Sequence, residues 1–283
     1  MKDFKDKVAV VTGAASGIGR AIAVRCVEEG IAVVLADIEI AALKETEAQL
    51  VQQGGKVFSV VTDVSKAEQI ENLAKQAIEK FGAVHLLFNN AGVAAGISLW
   101  ASPLVDWEWV INVNLWSVIH GIRTFVPIML AQKEECHIMN TASVAGLVTG
   151  AFSGIYGMSK HAVVSISETL YNELGFYGKH IGVSVLCPGF VQTKLCDSSR
   201  NCPPELEIPR APLSKEAQEF VQKIRTMVEN GMPPEQLAAQ VFDAIRERKF
   251  YILTHPEYKE AIRQRAEDIV AECNPRLPPG WGK

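Results

Sequence analysis

The stretch Gly13-Ala-Ala-Ser-Gly-Ile-Gly19 constrains this chain most, because of what lies on either side of it. Lys7-Val-Ala-Val-Val-Thr12 before it is a short β-branched run. After it, Ile22, Ala23, Cys26 and Val27 fall on one helical face, and Gly30 ends the pattern. The reading is strand, glycine turn, helix. Glycines let the backbone come close to a ligand, and the following helix aims its first N–H groups and its positive dipole end at that ligand. An anion fits there, most naturally a pyrophosphate held over Gly13, Ser16, Gly17, Ile18 and Gly19.

Ile31-Ala-Val-Val-Leu-Ala-Asp37 reads as the next strand, and Asp37 arrives 18 residues after Gly19. That is close to the ~20 residues at which an acid accepts hydrogen bonds from an adenosine ribose. Asp37 would repel a phosphate on that ribose, and neither Ser16 nor Ile38 supplies a cation to offset it, so NAD(H) is expected over NADP(H). The glycine spacing, G-x-x-x-G-x-G in place of G-x-G-x-x-G, points to a particular branch of dinucleotide-binding enzymes.

The alternation continues: a helix over 39–53, a strand over 56–62, and a helix opened by the capping-box signature Ser65-Lys-Ala-Glu68 with its apolar stripe from Ile70 to Phe81. A strand over 84–88 ends in Asn89-Asn-Ala-Gly92, and a long helical segment over 103–132 contains Asn112-Val-Asn114. A strand over 136–141 precedes Ser143, a helix runs on to about residue 177, and a strand over 181–187 leads into Pro188-Gly-Phe-Val-Gln-Thr193. Repeated strand–helix units of this length imply an α/β fold with a doubly wound parallel sheet, whose ligands gather beyond the carboxyl ends of the strands. Asp63, Asn90 and Ser143 fall at such ends.

In the helix after Ser143, Tyr156-Gly-Met-Ser-Lys160 places a phenol and an ammonium one turn apart on the same face. A free phenol has a pKa near ~10, and a neighbouring positive charge favours its anion, so Lys160 is expected to lower the pKa of Tyr156 toward the working range. Ser143, in Thr141-Ala-Ser-Val-Ala-Gly146, would hold an oxygen beside that phenol. The set suits an alcohol or a carbonyl.

A net charge of -4 with both signs interspersed gives no basic footprint for nucleic acid, and 48% hydrophobic content is ample for a core. The N-terminal residues lack the apolar run of a secretory signal, and no stretch reaches the ~18 uninterrupted apolar residues of a spanning helix, so no membrane partner is expected. Six cysteines lie scattered without CxxC pairs or histidines at ligand spacing, which argues for reduced thiols in the cytoplasm and against a metal site. From 194 to 234 the rhythm breaks in a segment longer than ordinary connections, read as a substrate lid. Lys194, Arg200 and Arg210 in it are read as solvated charges. A helix over 236–248 and a strand over 250–253 close one catalytic domain, 1–255. The extension, 256–283, has helical periodicity as far as Cys273, with 275–283 expected to be disordered.

With these motifs in order, the first 255 residues resemble the single-domain branch of the short-chain dehydrogenase/reductase family: Thr12-Gly-Ala-Ala-Ser-Gly-Ile-Gly19, Asp63-Val64, Asn89-Asn-Ala-Gly92, Asn114, Ser143, Tyr156 with Lys160, and Pro188-Gly189. The resemblance implies a seven-stranded Rossmann fold and a nicotinamide cofactor. Carried over residue by residue, it implies Tyr156 as general acid/base, Ser143 as the donor orienting the substrate oxygen, and Lys160 as holding the nicotinamide ribose. Asn114 would anchor a water in a proton relay. Asp63 and Val64 would contact the adenine; Asn90, Ala91 and Gly92 the middle of the cofactor; Pro188, Gly189, Val191 and Thr193 its nicotinamide end. Around this chemistry Ala94 to Ile97, Val144, Leu147, Val148, Phe152 and Phe190 are mostly apolar, so a hydrophobic secondary alcohol or ketone is expected. Many family members end in a short Gly-rich segment that builds one tetramer interface. This chain has the extension from His255 instead, and pairing into at least a homodimer, or a homotetramer, is expected through the helices of Asn114 and Tyr156. The alternatives are an NADP(H)-preferring carbonyl reductase and a dinucleotide-binding sensor that has lost the chemistry.

Overall fold

The computed structural model describes residues 1–96, 98–208 and 212–277. Seven parallel strands form one sheet in the order β3-β2-β1-β4-β5-β6-β7. They are β1 (Val8–Thr12), β2 (Ala32–Asp37), β3 (Val57–Val61), β4 (Leu86–Asn89), β5 (Cys136–Thr141), β6 (Ile181–Leu186) and β7 (Tyr251–Ile252). The helices are α1 (Gly17–Glu28), α2 (Ile40–Gln52), α3 (Ala67–Phe81), α4 (Leu104–Ile111), α5 (Ser117–Gln132), α6 (Gly154–Tyr177), α7 (Lys215–Glu229), α8 (Pro234–Arg246) and α9 (Lys259–Val270).

β1, β2, β4 and β5 are buried along their whole length because helices cover both sides, which is why they read as continuous apolar runs. On one face α1 and α8 pack Ile22, Leu237 and Phe242 against Val11, Phe88 and Ile252. On the other, α3 and α5 bring Ile70, Leu73, Phe125 and Met129 against Val10, Leu87 and Ile138. The strand order reverses between β1 and β4, so the fold opens its crevice at their carboxyl ends. Thr12 ties those ends together: its hydroxyl donates to the Phe88 carbonyl (3.2 Å) and accepts from the N–H groups of Asn90 (2.9 Å) and Ala91 (3.1 Å).

Several local expectations are corrected. The capping box at Ser65 does not form, because the Ser65 hydroxyl donates to Asp63 Oδ1 (2.7 Å) and the N-cap of α3 is Lys66. The last strand shrinks to two residues. The 104–132 segment is one helical run interrupted by a π turn, Asn112–Trp116. By length and composition that run is apolar enough to cross a membrane, yet Val118, Phe125 and Met129 on it are buried in the protein's own core. The described part of the 194–234 segment is regular: 3-10 turns lie at Leu195–Asn201 and Pro204–Leu206, and α7 follows, its N-cap Ser214 accepting from the Ala217 N–H. The expectations placed on Ile97, Arg210 and residues 278–283 lie outside the described residues.

Candidate active site

One cavity of about 1090 Å³ runs along the carboxyl ends of the strands, at the upper end of the ~300–1,000 Å³ usual for a ligand site. At one end are the glycine turn, Asp37, Ile38, Asp63 and Val64; in the middle Asn90, Ala91 and Gly92; at the other Ser143, Tyr156, Lys160, Pro188 and Gly189. Val191 also lines it, and Thr193, expected at the nicotinamide end, lies against Gly17 of the turn.

At the first end, Gly13 has φ +67, and a Cβ there would lie 2.9 Å from the Ala91 Cα, so the turn passes too close to β4 for any side chain. Gly19 does not line the cavity. A Cβ on it would fall 2.0 Å from the Gly13 carbonyl oxygen, so this glycine seats α1 against the turn. The Asp37 carboxylate is buried and accepts the backbone N–H of Ala15 (2.9 Å) on Oδ2 and of Glu39 (3.0 Å) on Oδ1. Burial raises its pKa while these backbone donors lower it. Each oxygen keeps a second lone pair with which a ribose hydroxyl can bond. Asp63 spends Oδ1 on Ser65, through both its N–H (2.9 Å) and its hydroxyl.

At the other end, α6 presents Tyr156 and Lys160 together. The Lys160 ammonium is almost fully buried, donates to the Thr141 carbonyl (2.9 Å), and lies 5.6 Å from the centre of the Tyr156 ring. Ser143 is fixed by its own turn: Oγ accepts from the Ala145 N–H (3.1 Å) and donates to the Pro188 carbonyl (3.4 Å). The pKa expected for Tyr156 is overturned here. Burial pushes the phenol up to about 12, against a downward pull from the Ser143 hydroxyl. Burial also pushes Lys160 down to about 8. Burial disfavours the charged form of each group. At neutral pH the phenol therefore keeps its proton, the state required of a general acid.

Asn114 is not brought to the cavity wall. It sits in the π turn, where Oδ1 accepts from the Val93 N–H (2.8 Å) and Nδ2 donates to the Val93 carbonyl (3.0 Å) and Ser159 Oγ (3.1 Å). Ser159 in turn donates to the Tyr156 carbonyl (2.7 Å), so Asn114 clamps the chain after Gly92 to the first turn of α6. Beyond Tyr156 the cavity is apolar, with Val93, Trp109, Phe152, Phe190 and, on α7, Phe220 and Ile224 among its walls. Phe152 adopts φ +60, rare for a bulky residue, with its ring 5.3 Å from that of Phe220 on the lid.

Sequence reasoning missed Glu39 at the first end, where Arg200 Nη2 (2.7 Å), Arg200 Nε (3.0 Å) and Asn201 Nδ2 (2.9 Å) all bond to its Oε1. Arg200 is therefore not a solvated charge but the strut that holds the lid to the end of β2. Tyr258 of the extension also lines the cavity and was missed; nothing in its spacing sets it apart. Among the described residues, no group of three or more His, Cys, Asp or Glu side chains could hold a metal ion.

A dinucleotide fits this cavity: a glycine turn with no room for a side chain at Gly13 at one end, a buried acid beside it, and a path without a break to Tyr156. The short chain dehydrogenase family model matches residues 7–202, and the chain belongs to that family. A short-chain dehydrogenase/reductase of Burkholderia phymatum, solved in complex with NAD, is 47% identical, superimposes with a TM-score of 0.96, and is covered over 99% of its chain by 98% of this one. A CLA biosynthesis dehydrogenase/reductase of Lactiplantibacillus plantarum is 39% identical over 97% of both chains. A 1-deoxy-11-beta-hydroxypentalenate dehydrogenase of Streptomyces exfoliatus is 33% identical over 98% of this chain and 92% of its own.

Proposed function

We propose that this oxidoreductase interconverts an apolar secondary alcohol and its ketone, using NAD(H) and Tyr156 as general acid/base. The observation that carries the reading is the single cavity joining the glycine turn and Asp37 to Ser143, Tyr156 and Lys160, with apolar walls beyond them. The NAD complex of the Burkholderia relative supports the cofactor, and the acid at position 37 supports NAD over NADP. The CLA biosynthesis and hydroxypentalenate relatives support an apolar substrate.

In this reading Ser143 holds the substrate oxygen next to the phenol. Bound nicotinamide supplies or accepts the hydride. In reduction, Tyr156 releases its proton to the oxygen as negative charge develops there; in oxidation it takes the proton back. Lys160, anchored on the Thr141 carbonyl, faces the cofactor ribose and the phenol together. The apolar walls and the lid exclude water from the reacting atoms. Self-association in the cytoplasm is part of the proposal: Trp116, Tyr171, Phe176 and Tyr177 are exposed on the α5–α6 side, a face that pairing of two copies would cover.

The test follows absorbance of NADH over a panel of apolar alcohols and ketones, with NADP(H) in parallel and Tyr156→Phe as control. NAD-linked turnover that is lost in the variant is expected; a higher kcat/KM with NADP would end the Asp37 argument. Light scattering at micromolar concentration tests the pairing, and a monomeric mass would contradict it.

A further inference from the structure

The chain beyond β7 turns back onto the active site through one imidazole. His255 Nδ1 accepts the backbone N–H of Gly189 (3.0 Å), and its Nε2 lies 3.0 Å from the Phe190 carbonyl oxygen. The first bond requires Nδ1 to be bare, which puts the ring proton on Nε2, and that proton makes the second bond. A single neutral tautomer therefore grips two consecutive residues, through the peptide units on either side of the 189–190 bond, with the Thr254 hydroxyl 2.8 Å from Nδ1. On the other side of the same segment, Met232 N–H donates to the Phe190 carbonyl (2.9 Å) and Gln192 N–H donates to the Met232 carbonyl (3.0 Å). The backbone from Gly189 to Gln192 is thus held between the start of α8 and the extension.

The fit is tight on the extension's side. A Cβ at Gly189 would lie 2.8 Å from His255 Cγ and 2.9 Å from Tyr258 Cε2, and Tyr258 goes on to line the cavity. Gly189 and Phe190 line it as well, directly after Pro188, whose carbonyl accepts from the Ser143 hydroxyl (3.4 Å).

We propose that His255 is a positioning residue: it sets the backbone of Gly189 and Phe190 that receives the nicotinamide half of the cofactor, and makes the extension part of the active site. The proposal rests on the NAD(H) reading above and on the nicotinamide lying at the Tyr156 end. An appendage that only stabilised the fold would act on the whole cavity alike. A brace on this segment acts on one half of the dinucleotide.

The experiment compares NADH with ADP, which carries the adenosine half and both phosphates, and with ADP-ribose, which adds the second ribose and lacks only the nicotinamide ring, by calorimetric titration of wild type, His255→Ala and His255→Gln. His255→Ala is expected to weaken NADH about tenfold, the scale of a buried hydrogen bond left unmade, with ADP held within about twofold of wild type and ADP-ribose falling between the two. His255→Gln, which keeps one acceptor and one donor, should recover part of the loss. Thermal melts run alongside, and if the alanine variant does not fold, the glutamine variant carries the test with a smaller change of the same selectivity. Equal weakening of NADH and ADP, or no weakening of NADH, would overturn the proposal. A wild-type protein that binds NADPH more tightly than NADH would instead overturn the NAD(H) reading, a separate result.

Discussion

The two ends of the cavity are built in different ways. At the proposed adenosine end the main groups follow directly from strands, the glycine turn from β1, Asp37 as the last residue of β2 and Asp63 just after β3, with Arg200 and Asn201 reaching across to Glu39. At the nicotinamide end the walls come from far apart in the chain: Ser143 after β5, Tyr156 and Lys160 on α6, Phe220 on the lid helix, and His255 and Tyr258 beyond β7. The first end is fixed by the sheet, so it places a ligand that does not vary. The second is fixed by loops and helices laid across the strand ends, where residues can change without disturbing the sheet. In the proposed reading, the adenosine half of the cofactor rests on the sheet, while the reacting groups share the other end of the cleft with the walls that meet the substrate.

The largest way to break this comparison is at the reacting group. Tyr156→Phe should lower kcat by about a thousandfold, within the ~10²–10⁴ range of a lost general acid, while NADH binding by titration stays near wild type. A parallel loss of NADH affinity would mean that the ends are not separable. At the adenosine end, Asp37→Ser should shift the ratio of NADPH to NADH affinity by about a hundredfold, because a like charge facing a phosphate costs several kcal/mol. The kcat measured with saturating NADH should change little. On the lid, Phe220→Ala should raise KM for apolar alcohols about tenfold, as expected for lost apolar contact of ~1–3 kcal/mol, and leave the NADH dissociation constant alone. The smallest effect belongs to the strut that joins the ends. Arg200→Ala removes a partly exposed ion pair with Glu39, worth about 1 kcal/mol or less, and should speed NADH release only a few-fold in stopped-flow.

A pH series sharpens the same contrast. Lys160, pushed down to about 8 by burial, is charged below that value and neutral above it. NADH affinity should therefore fall as pH rises through about 8, whereas the affinity for ADP, which lacks the nicotinamide ribose that Lys160 faces, should stay level there. Tyr156, pushed up to about 12, keeps its proton throughout that window.

How much was readable from the sequence follows the same division. The glycine turn, Asp37 and the parallel sheet were legible because motif and strand are adjacent, so local periodicity places them. The pairing of Tyr156 with Lys160 was legible from helical spacing, but the direction of the phenol's pKa was not, since burial is a property of the packed protein. Asn114 was expected beside the chemistry; it sits in the π turn, bonded to Val93 and Ser159, and a Cβ built on Gly92 would lie 3.4 Å from its Oδ1 and 3.5 Å from Lys160 Nζ. Arg200 looked solvated because its partner Glu39 lies 161 residues earlier in the chain. A lone His255 carries no pattern, and its role exists only once β7 brings it beneath Gly189.

In the proposed reaction, carbon-bound hydrogen moves directly between the substrate and a nicotinamide seated beside Tyr156. This transfer is tested most directly by oxidising an apolar secondary alcohol carrying deuterium on its carbinol carbon and weighing the NADH formed. One deuterium per NADH, with no label transferred by Tyr156→Phe under the same conditions, is the predicted result. Product NADH without label, or full transfer by the variant, would contradict it.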